Sequence, residues 1–66
     1  MHVIVNGESR EVPEETTVAK LLDELKLSGK PVAVEVNREL APRQHHAQRR
    51  LAEGDRLEIV TLVGGG

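Results

Sequence analysis

The chain has 66 residues, nine Lys and Arg against eleven Asp and Glu for a net charge of -2, and neither cysteine nor any aromatic residue. That length supports one domain at most, and so small a domain buries only about 60% of the surface its unfolded chain exposes. Thiol nucleophiles, disulfides and cysteine-type zinc sites are excluded, and without a basic stripe or a stacking aromatic the composition argues against nucleic-acid binding. Stability must come from an aliphatic core and sound local geometry, since the usual staples of small domains are missing. No apolar run approaches the roughly 20 residues of a membrane span. The opening Met1-His2-Val3-Ile4-Val5-Asn6-Gly7 has neither the basic start nor the cleavage site of a signal peptide. The expectation is a soluble, cytoplasmic protein that makes no membrane contact and is monomeric when free.

Residues 1–12 read as a β-hairpin. Met1, Val3 and Val5 alternate with His2 and Ile4, and Asn6-Gly7 is the pair favoured in two-residue type I′ turns. That register sets Val5 opposite Glu8, Val3 opposite Arg10 and Met1 opposite Val12. The second strand is charged, as suits a protected sheet edge, and Pro13 ends it. A helix follows, with Val18, Leu21, Leu22 and Leu25 on one stripe and Thr17 as N-cap. Glu14 and Glu15 are placed where the helix dipole favours negative charge. Lys26 lies near the C-terminal end, and Gly29 is the expected stop.

Pro31 opens a third strand in which Val32, Val34 and Val36 alternate with Ala33 and Glu35. Asn37-Arg38-Glu39 reads as a turn and Leu40-Ala41 as a short strand before Pro42. Residues 43–50 are polar and lack a clean period, which predicts a surface connection with about one helical turn, pinned to the core by Leu51. Glu53-Gly54-Asp55 turns the chain into a last strand over 56–63. One helix with strands before and after it indicates an α+β fold, with the helix packed on one face of a mixed sheet of four to five strands. A β-grasp with the first and last strands parallel at the centre satisfies the pattern, and so do other α+β topologies.

In the last strand Leu57, Ile59 and Thr61 alternate with Glu58, Val60 and Leu62. If Leu57 and Ile59 face the helix, Val60 and Leu62 point to the uncovered face, where Ile4 is expected to join them. With Val63 these form the candidate partner interface, an aliphatic patch beside the tail. The domain is expected over 1–63, with 64–66 as a flexible tail. Gly64-Gly65-Gly66 has no side chain to pack and maximal backbone freedom. It therefore suits entry into a narrow active site, and the candidate reactive group is the Gly66 carboxylate.

Val34-Glu35-Val36-Asn37, Pro42-Arg43, Gly54-Asp55-Arg56-Leu57-Glu58-Ile59-Val60 and Val63-Gly64-Gly65-Gly66, with the Asn6-Gly7 hairpin and the Thr17-Val18 helix start, closely resemble the ThiS family of sulfur carriers. The likeness spans essentially the whole chain. It implies the ubiquitin-like β-grasp fold and a role in building the thiazole of thiamine. It also implies that an E1-like enzyme (ThiF-like) uses ATP to adenylate Gly66. The adenylate then becomes a thiocarboxylate, whose sulfur goes to a thiazole synthase (ThiG-like). Gly66 is then the acyl group, Gly65 its diglycine partner and Gly64 an extension. The chain itself is a carrier, with no bound cofactor and no catalytic residue. The rivals are the small subunit of molybdopterin synthase, a ubiquitin-like modifier that joins its tail to lysines, and a plain interaction domain.

Other candidates have plainer readings. His45-His46 has no third ligand nearby, whereas structural zinc takes four, so no metal site is expected. His2 reads as a solvated strand residue. Glu35, Glu39, Glu53, Asp55 and Glu58 read as surface and turn residues, with Asp55 shaping the turn before the last strand. Arg49-Arg50 reads as solvated loop, and the His45–Arg50 run as a stretch with little bearing on partner choice.

Overall fold

The computed structural model describes residues 1–62. In chain order its elements are β1 (His2–Val5), β2 (Glu8–Glu11), α1 (Val18–Glu24), β3 (Val32–Val36), β4 (Glu39–Leu40), a 3-10 turn at Arg43–His45 and β5 (Arg56–Thr61). The strands form one five-stranded sheet in the order β2-β1-β5-β3-β4. β1 and β5 run parallel, and every other neighbouring pair is antiparallel. Of the topologies the sequence leaves open, this is the β-grasp.

Both hairpins close through two-residue turns in which each central residue has positive φ. In the first, Asn6 (φ 49°) and Gly7 (φ 85°) bring Val5 opposite Glu8 and Val3 opposite Arg10, the register expected. Met1 and Val12 continue it, exchanging backbone bonds of 2.8 Å in both directions. In the second, Asn37 (φ 52°) and Arg38 (φ 69°) form the turn, so Glu39 comes directly opposite Val36. The short strand is therefore Glu39–Leu40 rather than Leu40-Ala41, and Glu39 belongs to the strand instead of the turn. A two-residue turn of this hand needs left-handed backbone at both positions, which Arg38 adopts without glycine's freedom.

Thr17 caps α1 as expected, its Oγ1 accepting from Lys20 N at 3.1 Å. The acidic pair expected at the helix start lies elsewhere. Glu14 and Glu15 precede the first turn, in a bend closed by Thr16 donating from Oγ1 to Pro13 O at 2.6 Å. Glu15 takes φ 66° there. Glu14 faces the Met1 ammonium at 3.6 Å and Glu15 faces Arg50 at 3.5 Å. The helix also stops before Gly29. Leu25 is the C-cap and Lys26 turns left-handed (φ 62°), with Lys26 N donating to Asp23 O at 3.0 Å and Leu27 N to Leu22 O at 2.8 Å. Those two bonds satisfy the carbonyls an α-helix end leaves open, and they define the Schellman closure. A lysine stands where glycine is favoured.

The polar connection also does more than the sequence indicated. Val18 N donates to Arg49 O at 2.9 Å and Ala19 N to His46 O at 3.0 Å. Together with the Thr17 cap, the connection satisfies the first three amide donors of α1, groups that a helix start leaves without intrahelical partners. Thr17 and Arg50 form an antiparallel bridge, and Leu51 N donates to Thr16 O at 2.8 Å. Within this run His46 is buried, its Nε2 donating to Ala41 O at 2.6 Å. Leu51 is buried too, as expected.

One aliphatic cluster holds the two layers together. Val18, Leu21 and Leu22 from the helix meet Val3, Val5, Val34, Val36, Leu57 and Ile59 from the sheet, with Val12, Ala41 and Leu51 at the margins. Leu25, Leu27, Met1 and Val32 pack on its rim half-buried. Relieving the left-handed strain at the helix end is a direct check on the closure. Lys26→Gly is expected to raise unfolding free energy by about 0.5–1 kcal/mol in denaturant titration, because glycine carries no Cβ penalty at that φ.

Candidate functional site

β5 is the last described element and the central strand of the sheet, and how it is held fixes where Val60 and Leu62 stand. It has no hairpin of its own with either neighbour. Two asparagines from the hairpin turns supply part of what is missing. At the start of β5, Asn37 Oδ1 accepts from Arg56 N at 3.0 Å, its backbone N donates to Arg56 O at 2.7 Å, and its Nδ2 donates to Asp55 Oδ1 at 2.9 Å. Further along, on the β1 side, Asn6 Oδ1 accepts from Ile59 N at 2.8 Å while its Nδ2 donates to Ile59 O at 3.1 Å. The Asn6 amide thus reproduces both bonds of a strand residue at the point where β1 has turned away.

The turn that launches β5 is fixed in the same way. Asp55 Oδ2 accepts from Ala52 N at 2.8 Å and Asp55 N donates to Ala52 O at 3.0 Å, with Gly54 at φ 84° between them. This is the turn-shaping role expected of Asp55. Gly54 N donates to His2 O at 2.7 Å, and His2 N donates to Glu53 Oε1 at 2.9 Å, which ties the turn to the first residues of the chain. His2 is exposed and has Glu11 and Glu53 within 4.0 Å.

Alternation along β5 buries Leu57 and Ile59 under the helix and turns Arg56, Glu58, Val60 and Leu62 to the uncovered face. Val60 is 57% exposed and Leu62 51% exposed, so this face carries large side chains without cover. Val60 lies opposite Ala33, and Leu62 N donates to Pro31 O at 2.8 Å. Ile4 shares the face but does not join these two. The parallel register sets Ile4 beside Arg56, with Glu58 between it and Val60 along the strand. The two positions lie four steps apart along the strand, roughly 13 Å. Leu40, at 68% the most exposed large apolar residue among the described residues, is the member of this face the sequence reading omitted. Its alternation becomes visible only once β4 is set at Glu39–Leu40, opposite Glu35.

Glu35 and Glu58 stand directly opposite each other on this face. Among the described residues neither takes part in an ion pair. A groove of about 570 Å³ runs beside them, lined by Ile4, Asn37, Arg38 and Arg56. Val63, Gly64, Gly65 and Gly66, expected to complete the patch and the reactive end, lie outside the described residues. Among the described residues no group of three or more metal-ligating side chains comes together. Likewise, no described helix is long and apolar enough to cross a membrane.

The model of the ThiS family matches residues 3–66. The chain belongs to the ThiS family. It is 44% identical over 66 residues to a thiazole synthase of Paramagnetospirillum magneticum, covering all of this chain and 20% of that protein. The chain thus spans about a fifth of that relative's length. It is 26% identical to the sulfur carrier protein ThiS of Escherichia coli over the full length of both. The crystal structure of the thiamine biosynthesis protein ThiS of Geobacter metallireducens superposes with a TM-score of 0.84 at 33% identity, covering all of both chains. With the family comes the role of a small sulfur carrier in thiamine biosynthesis, not that of a catalyst.

Opposed like charges on a strand pair destabilise it. Glu35→Gln is expected to raise stability by about 0.5 kcal/mol at low ionic strength, a gain that shrinks as salt screens the pair. Denaturant midpoints at two salt concentrations check it.

Proposed function

We propose that the chain carries sulfur on its C-terminus. In this reading the Gly66 carboxylate is activated by an E1-like adenylating enzyme and becomes a thiocarboxylate that supplies sulfur to a thiazole synthase. What supports it is a family match that runs through residue 66 and so includes the closing glycines. The thiazole synthase relative adds weight, since its sequence includes a stretch similar to this whole chain.

The chemistry explains why the chain needs neither cysteine nor a catalytic set. A carboxylate is a poor electrophile. Attack of its oxygen on the α-phosphorus of ATP expels pyrophosphate and leaves an acyl adenylate. A sulfide-level nucleophile adds to the acyl carbon, and AMP departs with the original oxygen. The product holds a soft, nucleophilic sulfur at the end of the main chain. ATP and the groups that polarise it belong to the partner enzyme. The carrier has to present an unobstructed terminus and a surface that can be recognised, and Val60 and Leu62 are the described residues best placed to serve as that surface.

Intact mass after incubation with an E1-like enzyme, ATP and a sulfide source is expected to show one oxygen replaced by sulfur. Deleting Gly66 should abolish that change while leaving the melting temperature where it was. An unmodified wild-type mass with a competent enzyme, or a collapse of stability on deletion, overturns the proposal. Val60→Asp is a second check. Placing a charge on an exposed position costs the isolated fold little, but a carboxylate in an apolar contact is expensive. The expected result is a KM for the carrier raised about tenfold or more, with kcat little changed.

A further inference from the structure

We infer that Asn6 is a positioning residue, whose side-chain amide holds β5 at Ile59 and thereby fixes the end of that strand through Leu62. Its functional consequence rests on the reading of Gly66 as the activated group. β1 ends at Val5, and its pairing with β5 stops at Leu57. The backbone of Asn6 makes one more contact, Asn6 N donating to Leu57 O at 2.9 Å, before the chain turns back at φ 49°. Beyond that point β5 would have only β3 beside it. The Asn6 side chain extends the pairing by one residue, accepting from Ile59 N at 2.8 Å and donating to Ile59 O at 3.1 Å.

On the opposite side the last tie among the described residues is Leu62 N to Pro31 O at 2.8 Å. Ile59 and Leu62 are thus the last ties of the strand among the described residues, one on each side. With only the β3 side fixed, the end of β5 could pivot about that edge. With both fixed, the strand is held through Leu62. Delivery of a terminal group into a partner's site is sensitive to such placement, because small misorientation costs rate more than affinity.

Asparagine meets two demands here. Its backbone tolerates the left-handed turn, and its amide offers a donor and an acceptor on adjacent atoms, matching the paired N–H and C=O of Ile59. Asn6→Gly keeps the turn, since Gly-Gly also suits it, but removes the clamp. Amide hydrogen exchange of Val60 and Leu62, whose own partners lie on β3, is expected to speed up about tenfold. Exchange at Val36 and Leu21 should rise less. Asn6→Asp keeps the acceptor for Ile59 N but loses the donor, and it should recover only part of the protection.

In adenylation assays Asn6→Gly is expected to lower kcat about fivefold or more with little change in KM. Asn37→Gly, which frees the start of β5 instead, should lower stability without that loss of kcat. Unchanged exchange at Val60 and Leu62 in Asn6→Gly overturns the inference, as does an equal fall of kcat in Asn37→Gly. If the wild-type chain is not adenylated at all, the functional reading fails by itself. The exchange measurements then decide the clamp alone.

Discussion

The fold depends on holding a central strand that arrives last and has no local partner. β5 pairs in parallel with β1, from the opposite end of the chain, and antiparallel with β3, across the long connection. Closing those loops costs entropy before any contact repays it. The return comes from burying Leu57 and Ile59 among the valines of β1 and β3 and the leucines of α1. The turn at residues 52–55 fixes where β5 begins, and its bonds to His2 lock that start to the first strand. The start of β5 and the first residues of the chain are therefore fastened in the same small region of the sheet.

A similar economy governs the helix. Seven residues make a short α-helix, too short to be stable by its own hydrogen bonds. Its exposed amide donors would also be costly to leave unmet where the chain packs against it. The run from His46 to Leu51 lies across that end and supplies two backbone carbonyls, while buried His46 anchors the run to Ala41. A stretch that looks like solvated linker in composition thus completes the helix start. The Thr17 cap and the carbonyls of Arg49 and His46 divide the work between local and distant chain.

This division explains what could be read from the sequence. The first hairpin, the helix stripe and the strand alternation were legible because each rests on a period or a turn pair within a few residues. The exposure of Val60 and Leu62 was legible for the same reason, from strand parity. The role of residues 43–51 was not, since it uses backbone carbonyls and a single buried histidine that no pattern marks. The helix stop was misplaced because a lysine, with no intrinsic preference for it, takes the left-handed closing position. The separation of Ile4 from Val60 follows from the parallel register of β1 and β5, and that register is set by packing from both ends of the chain.

The positive-φ residues show how these demands meet in single side chains. Among the described residues, five other than glycine adopt such backbone: Asn6, Glu15, Lys26, Asn37 and Arg38. For Glu15, Lys26 and Arg38 the conformation serves a turn or a helix end alone, and a glycine would serve it with less strain. For Asn6 and Asn37 it does not stand alone, because each side chain also bonds the backbone of β5. Glycine at either place would relax the turn and release the strand, and aspartate would keep the turn but lack the amide donor. Only asparagine closes the hairpin and grips the neighbouring strand with the same residue. The two turns that look like simple punctuation are thereby part of what holds the central strand.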